Sequence, residues 1–487
     1  MKALTITAHR GALEIRPASE AQFLLPILTY YEKSVPTKTM SFYDKKEGKI
    51  VEREVRGSRV VSTRVAMYQE VEDSIVTHEG LLLKIMGRCR EGRVHVNYRK
   101  LNPQFPDQLI DRSVVRGLHP DQVRVVVDAL SLVGTSGSPG SGGAIIDATM
   151  GYGKTYVIAA LCRVYRGGKT VITTKSKAVV HRIYGAMKDL LKDDGLRVGM
   201  RQGAVRTPGD VIVCTNVLLG TFDQDEVDCL IYDECHHSVS PSQAKAVIVL
   251  SRAVKFGLSA TVGKRFDGKE ALMEGIFGPK CATITDKEAE DLGRVVPMTV
   301  YVLSVSKGPD LHKIGSPISK ERQGIWNNKF RNRLIADAAK RVPADSQLLI
   351  FVRTEEHGRN LLDNFLPEGF EFFHGGLGDR EHKRILSGFE SGELKRVIST
   401  DSLGEGVDPS DLRVVIDANW TSSDQKVSQR VGRNRRHAEG KTMGYLIAFD
   451  DEFHETSQAK SDVRIKRYRD RGYCIKPIDS VDEIVIE

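Results

Sequence analysis

The stretch from Asp147 to Thr155, Asp-Ala-Thr-Met-Gly-Tyr-Gly-Lys-Thr, constrains the fold more than any other part of the chain. It follows the apolar run Ala144-Ile145-Ile146 and precedes Tyr156–Tyr165, rich in Val, Ile, Ala and Leu. Strand, small-residue loop and helix in that order make a phosphate cradle. Small residues such as Gly151 and Gly153 let backbone N–H groups close on phosphate oxygens, and the helix N-terminus adds positive potential. In this reading Lys154 reaches the β/γ-phosphates and the Thr155 hydroxyl ligates Mg²⁺. The pattern is Ala148-x-x-x-x-Gly153-Lys154-Thr155, with Ala where the strict motif has Gly. A chance Gly-Lys-Thr in a loop is the competing reading, so the rest of the chain has to decide.

The 487 residues suit about three to four domains of ~100–200 residues, each able to hold its own core. Hydrophobic content of 40% and charged content of 28% are those of an ordinary globular protein. No apolar run reaches the ~18 residues of a membrane span. Met1–Arg10 lacks the apolar core of a secretory signal, so a cytoplasmic location is expected. The seven cysteines are scattered, with no Cys-x-x-Cys pair, which speaks against a disulfide framework or structural zinc. A net charge of +8 suits a polyanionic partner, and a solvated charged surface equally.

Residues 1–108 read as a small, β-rich accessory domain, with some helix at 19–33. Arg59–Tyr68 and Arg93–Tyr98 alternate like half-buried antiparallel strands, Val94, Val96 and Tyr98 sharing a face. Lysines and arginines between Lys45 and Arg64 make its middle basic, consistent with nucleic-acid contact or a plain solvated face. Asn102–Asp107 is a candidate linker and Gly134–Gly143 a candidate loop. Between them Pro120 and Asp121 suit the first turn of a helix. After the phosphate loop, strand and helix signals alternate through two runs. One covers 109–297, with strands at Val171–Thr174, Asp210–Thr215, Cys229–Tyr232 and Val254–Leu258. The other covers 298–455, with strands at Gln347–Val352, Phe370–Phe373, Arg396–Ser399, Val414–Asp417 and Gly444–Phe449 and a helix at Ser423–Arg433. The fold class is therefore α/β: two tandem parallel-sheet domains, a β-rich N-terminal domain, and a basic tail over 456–487.

Asp233-Glu234-Cys235-His236-His237 follows an apolar strand, where open α/β sheets bind ligands. Asp233 can hold Mg²⁺ through water and Glu234 can polarise an attacking water as general base. The two histidines lack companions at zinc-ligand spacing. Ser259-Ala260-Thr261 offers hydroxyls that can hydrogen-bond the acidic motif. In the second run, Thr400–Asp408 is a glycine-punctuated loop, and Gln429–Arg436 packs arginines densely enough to need an anion nearby. Arginine forks there suit the finger role on a γ-phosphate, with a solvated basic helix end as the competing reading.

Taken in order, these motifs resemble the superfamily 2 helicases and translocases of the Asp-Glu-x-His division, over about residues 115–450. The matched set runs from Gln122 and Ala148–Thr155 through Thr173–Ser176, Cys214–Asn216, Asp233–His236, Ser259–Thr261, Phe351–Thr354, Thr400–Asp408 and Gln429–Arg436. Thr261–Gly268, Ile276–Pro279 and Glu288–Gly293 with Pro297 are similar to the DNA-directed branch that contains XPB, phage UvsW-type branched-DNA helicases and restriction translocases. The resemblance implies two RecA-like domains with ATP and Mg²⁺ bound between them. Gln122 would read the adenine; Gly151, Gly153, Lys154, Thr155, Asp233 and Glu234 belong to the ATP site on the first domain. Arg433 and Arg436 would reach that site from the second domain, with Gly406 and Asp408 near the ribose. Lys175, Thr215, Gly375 and Thr400 would line the nucleic-acid track. The chain departs from the family pattern at Ala148, at Asp147, where an apolar residue or Pro is commoner, and at Arg435, where Gly is frequent.

The expectation is a monomeric ATP-dependent motor that unwinds or branch-migrates branched or forked DNA in replication, recombination or repair. Phosphate contacts should dominate its binding, and the N-terminal domain can supply a wedge. An RNA helicase of the same division and a nucleic-acid clamp without productive hydrolysis are the rival readings.

Overall fold

The computed structural model describes residues 3–9, 12–34, 37–44, 49–56, 60–101, 110–134, 140–260, 267–400, 409, 411–420 and 432–486. The linker Asn102–Asp107, residues 135–139 of the Gly134–Gly143 loop, Gly406, Asp408 and most of the helix expected at Ser423–Arg433 lie outside these residues. The chain divides into two compact units: residues 1–147 with 155–283, and residues 148–154 with 284–487.

The first unit opens with a five-stranded sheet built of β1 (Ala3–His9), β2 (Ala12–Arg16), β3 (Tyr68–Val71), β4 (Ser74–His78) and β5 (His95–Leu101), in the order β3-β4-β2-β1-β5. Alternation buries Leu4, Ile6 and Ala8 of β1 and Leu13 and Ile15 of β2 on one face, the period-two pattern of a half-buried sheet. Val94, Val96 and Tyr98 pack on that core as their spacing predicts. Strand β5 nevertheless runs parallel to β1, not antiparallel to a neighbour. The reason is α1 (Leu82–Glu91), which carries the chain across before β5 begins.

The helix expected at 19–33 is confined to Ala18–Ala21 and a 3₁₀ turn at Gln22–Leu24. Pro26 cannot donate to a helical ladder, and the β-branched and aromatic Thr29, Tyr30 and Tyr31 favour extended chain. Thr29–Ser34 instead pairs antiparallel with Val61–Ala66, and the next segment, Thr37–Asp44, with Lys49–Arg56. The run Arg59–Tyr68 is thus divided between this ribbon and β3. Gly80 seats the N-terminal sheet on the rest of the unit. A side chain there would come within 2.4 Å of the Glu274 carbonyl and 2.5 Å of the Gly275 carbonyl, and Ala271 and Leu272 join the N-terminal core.

The remainder of the first unit contributes α2 (Pro120–Val133), β6 (Gly143–Ala148), α3 (Lys154–Val164), β7 (Thr170–Thr174), α4 (Lys177–Leu191), β8 (Val198–Gln202), β9 (Val205–Arg206), β10 (Val211–Thr215), β11 (Cys229–Asp233), α5 (Pro241–Val249), β12 (Val254–Ser259), α6 (Glu270–Phe277) and β13 (Lys280–Ile284). The strands form one sheet, β9-β8-β10-β7-β11-β12-β6-β13. From β8 through β6 every pairing is parallel. Strands β7, β10 and β12 are buried along their whole length, as a sheet covered on both faces requires.

The second unit holds α7 (Asp286–Asp291), β14 (Met298–Ser304), α8 (Lys329–Arg341), β15 (Gln347–Phe351), α9 (Glu355–Asn364), β16 (Glu371–Phe373), α10 (Asp379–Glu390), β17 (Arg396–Ser399), β18 (Leu412–Asp417), β19 (Gly444–Asp450), α11 (Glu455–Asp470) and β20 (Cys474–Ile478). Its seven strands are all parallel, ordered β16-β17-β15-β18-β19-β14-β20. The segment 456–487, expected as a basic tail, is built into this unit. Helix α11 buries Ser457, Ser461, Arg464 and Tyr468, and β20 pairs with β14. Arg464 donates to the Asn419 and Phe449 carbonyls, so this arginine serves the core rather than a phosphate backbone.

Candidate functional site

Strand β6 ends at Ala148 and helix α3 begins at Lys154, with the loop between them grouped in the second unit. Gly151 (φ +84°) and Gly153 (φ +94°) adopt left-handed backbone, which a side chain strains. A Cβ on Gly151 would also meet Val295 Cγ1 at 2.7 Å. Lys154 Nζ donates to the Ala148 carbonyl at 2.9 Å, holding the ammonium over the loop's own backbone. Asp147, unusual ahead of such a loop, is paired with Lys280 on neighbouring β13 at 2.8 Å. Positive-φ glycines, a lysine on a helix's first residue and Thr155 beside it fit a polyphosphate with its Mg²⁺.

Asp233 closes β11, and Glu234 follows in left-handed conformation (φ 56°, ψ 54°). Such backbone in a non-glycine residue costs of order 1–3 kcal/mol and persists where its surroundings hold it. Here the holder is a directed hydrogen-bond chain. Ser259 Oγ donates to Glu234 Oε2 at 3.0 Å. His236 Nδ1 lies 2.9 Å from Ser259 Oγ, and His237 Nε2 lies 3.0 Å from His236 Nε2. One proton placement satisfies all three: His237 donates to His236, His236 Nδ1–H donates to Ser259, and Ser259 donates to the carboxylate. Ser259 and His236 are buried. The histidines therefore orient a carboxylate, a role that needs no metal.

In the second unit Gly432–Arg435 forms a 3₁₀ turn. Arg433 is buried, and a Cβ on Gly151 would lie 3.8 Å from Arg436 Cγ. Gly432 packs against the loop's Met150 so closely that its own Cβ would come within 2.7 Å. Arg435, where the family pattern favours Gly, is buried on the carboxylate of Asp286. Its Nη1 lies 2.6 Å from Asp286 Oδ1, its Nη2 lies 3.1 Å from Glu290 Oε2, and its Nε donates to the Val296 carbonyl. Asp286 also accepts from Thr149 Oγ1 at 2.8 Å and from Arg471 Nη1 at 2.7 Å. One carboxylate thus ties the phosphate loop, the arginine turn and the segment before β20 together. Sequence reading passed over Asp286. Its visible signal is the capping box Thr285-x-x-Glu288, which marks the start of α7 and places Asp286 in its first turn.

Gln122 is buried in the first turn of α2, where its Oε1 accepts from the His119 backbone N–H at 3.0 Å. Lys175 and Thr215 lie at the C-terminal ends of adjacent strands β7 and β10, Thr174 standing opposite Thr215. Lys175 is exposed and Thr215 buried; the exposed side chain next along is Val217. Gly375 and Thr400 follow the adjacent strands β16 and β17, and Thr400 N–H donates to the Phe373 carbonyl. The structure thus gathers the track candidates in two pairs, one at a strand edge of each unit.

Two parallel α/β sheets carrying a phosphate loop, an Asp-Glu-x-His strand end and an arginine turn define the class: tandem RecA-like domains of a phosphate-loop protein. Residues 117–264 match the family model described as "Type III restriction enzyme, res subunit", and residues 332–438 that described as "Helicase conserved C-terminal domain". The chain belongs to the superfamily 2 helicases.

A protein named as a helicase in Sulfolobus islandicus filamentous virus is 24% identical over 45% of this chain and 42% of its own length. The ATP-dependent RNA helicase DBP3 of Candida albicans is 21% identical over 56% of this chain and 45% of its own. DNA helicases also match. The chain spans about half the length of these curated relatives. In fold it is similar to Saccharomyces cerevisiae Dbp5 bound to RNA and ADP BeF3, with TM-score 0.54 and 15% identity over 75% of this chain and 96% of that one.

Proposed function

We propose that the chain is an ATP-dependent DNA helicase or translocase that works on branched or forked DNA as a monomer. The observation that carries the catalytic half is the strained Glu234 carboxylate, fixed by the Ser259 hydroxyl at 3.0 Å. A general base must be aimed before it acts, and the Ser259 hydroxyl aims this carboxylate from the strand end next to it. Lys154 and the N–H groups around Gly151 and Gly153 hold the phosphates. Arg433 and Arg436 neutralise charge that develops on the γ-phosphoryl group. Thr155 and, through water, Asp233 would hold Mg²⁺, which would neutralise charge on the phosphates. Gln122 reads the base, and Gly406 and Asp408 serve the ribose.

Support for DNA comes from the restriction-enzyme family model over residues 117–264 and from the DNA-directed motifs at 261–268 and 276–279. Lys175, Thr215, Gly375 and Thr400, at strand ends in both units, are the track by which each domain grips one strand. Alternating grip through the ATP cycle advances the motor. RNA helicases among the relatives define the competing reading.

ATP turnover without nucleic acid, with single-stranded DNA, duplex DNA, a four-way junction and duplex RNA separates these readings. Stimulation by DNA, greatest with the junction and abolished by Glu234→Gln, is expected. Stimulation by RNA alone refutes the DNA assignment. A response flat across all substrates refutes the motor.

A further inference from the structure

Each strand of the first unit's large parallel sheet has two ends, and only one end carries the catalytic and strand-track candidates. Lys175 follows β7, Thr215 closes β10 and Glu234 follows β11, all at C-terminal ends. At the N-terminal ends of β7, β8, β10 and β11 lies a cavity of about 1040 Å³, walled by residues 166–169, 194–197 and 206–210. Asp228, which also lines it, and Glu234 bracket β11, so cavity and catalytic carboxylate stand about 20 Å apart at ~3.3 Å per residue. The nucleotide site makes no use of this cavity.

Its lining says what kind of ligand fits. Half of the lining residues are charged, and only Leu196, Pro208 and Ile212 bring apolar side chains beyond glycine. Small-molecule pockets are lined mainly by apolar and aromatic groups, so this is not a site of that kind. Gly167 (φ +95°) and Gly195 (φ +70°) leave bare backbone on the wall, where a Cβ would meet nothing within 4 Å. Bare backbone lets phosphate oxygens approach closely.

The charge is unbalanced toward cations. Arg166, Lys169, Arg197, Arg201 and Arg206 line the cavity together with Asp194, Asp210 and Asp228. These carboxylates are already engaged. Asp194 is shared by Arg163 and Arg116, each at 2.8 Å, while Asp210 is held by Arg197 at 3.1 Å and Asp228 by Arg252 at 2.9 Å. Lys169 and Arg201 share the single carboxylate of Glu226, at 3.0 and 2.7 Å. Arg166 donates to the Ser113 hydroxyl, which itself donates to Asp111. Among the described residues Arg206 donates only to the carbonyls of Gly203 and Val205. Guanidinium forks beyond what the carboxylates can serve suit phosphate oxygens.

We propose that this cavity is a second nucleic-acid site, which grips the phosphate backbone of a DNA duplex at the sheet edge opposite the catalytic carboxylate. The proposal rests on the DNA-motor reading and adds to it where the duplex is held. A single strand is the poorer fit, because strand-binding grooves add aromatic rings for the bases, and none lines this cavity. Contacts to phosphates alone set affinity and salt dependence, not sequence preference. With Lys175 and Thr215 at the other end of the same strands, one rigid sheet then holds a strand at one edge and a duplex at the other.

The test uses the full chain in two forms beside the wild type. One carries Arg166→Gln, Arg197→Gln and Arg206→Gln, and the other Arg206→Glu; all three arginines are exposed. Affinity for a blunt duplex and for a single strand is measured across a salt series without nucleotide, together with ATPase on single-stranded DNA. The triple form should lower the duplex slope of log K against log salt by roughly 2–3, at about 0.9 per lost phosphate contact. Arg206→Glu should weaken duplex binding about tenfold at 0.1 M salt. Single-strand affinity and single-strand-stimulated ATPase should stay at wild-type values in both. An unchanged duplex slope overturns the proposal, and the wild type's own response to DNA keeps the motor reading intact. Equal losses on duplex and single strand also overturn it, since the arginines then serve folding. Unchanged duplex binding with lost binding of a polyglutamate peptide overturns it too, and gives the cavity to an acidic protein segment. A wild type indifferent to all DNA overturns both readings.

Discussion

Replacing Asp286 by Ala removes the acceptor shared by Arg435, Arg471 and the Thr149 hydroxyl. The three donors do not suffer equally. Arg471 is partly exposed, Thr149 can turn its hydroxyl, but Arg435 is only 1% exposed. Its guanidinium keeps Glu290 at 3.1 Å and two carbonyls, and loses its closest charge partner. Removing one member of a buried pair costs about 3–5 kcal/mol, mostly because the remaining charge cannot reach water. Spread over an α/β unit of this size, at ~2–4 °C per kcal/mol, that is a fall of roughly 6–20 °C in the unit's melting temperature. Taking the charge away as well should recover much of the loss, so Asp286→Ala with Arg435→Leu should be more stable than the sum of the single changes, by about 2 kcal/mol or more. Calorimetry of wild type, both single variants and the double variant measures this, with nucleotide KM followed in parallel because Thr149 lies in the phosphate loop. Additive losses within ~0.5 kcal/mol would refute the reasoning, showing that the two groups do not depend on one another in the folded protein.

Ser259→Ala removes the hydroxyl donor to Glu234 Oε2 and leaves His236 Nδ1, 3.2 Å from that oxygen, as its neighbour. A hydrogen bond to a charged group is worth about 1.5–3 kcal/mol, so kcat should fall roughly ten- to a hundredfold with little change in nucleotide KM, and an unchanged kcat contradicts the assigned role. Gly151→Ala sets a Cβ 2.7 Å from Val295 Cγ1 in left-handed backbone and should abolish tight nucleotide binding in calorimetric titration; normal affinity would show that the loop opens freely. Burial, with Arg413 and Arg436 acting in the same sense and Asp411 against it, holds the Lys441 ammonium down to about 8. Below that pH the lysine is charged in both states and its burial is a cost. Between about pH 8 and the ordinary value of 10.5 the unfolded chain binds the extra proton, so this cost is relieved and stability rises with pH. Wild type should therefore gain on Lys441→Met across that interval in urea unfolding, and parallel curves would refute it.

The chemistry was legible because it is local. A phosphate loop, an acidic pair after a strand and an arginine turn each fit within a few residues, and spacing alone places their groups on one strand end or one helix start. Parallel sheets followed from near-continuous apolar strands alternating with helices. Within the N-terminal 108 residues alternation announced strands correctly, yet it is silent on partners. It therefore missed the parallel pairing of β5 and left Thr29–Lys33 inside a stretch expected to hold some helix.

Alone, then, the sequence determined the α/β class and the family, because each rests on patterns between near neighbours along the chain. Tertiary structure decided what holds the site residues in place. Arg435 looked like a departure from pattern until Asp286, 149 residues away, appeared beneath it, and residues 456–487 looked like a basic tail until β20 paired with β14. The Ser259 hydroxyl, by contrast, was legible in sequence as a partner for the acidic motif, and folding sets it 3.0 Å from Glu234 Oε2. Burial makes a distant charge partner worth several kcal/mol, and burial comes into being only when remote segments pack.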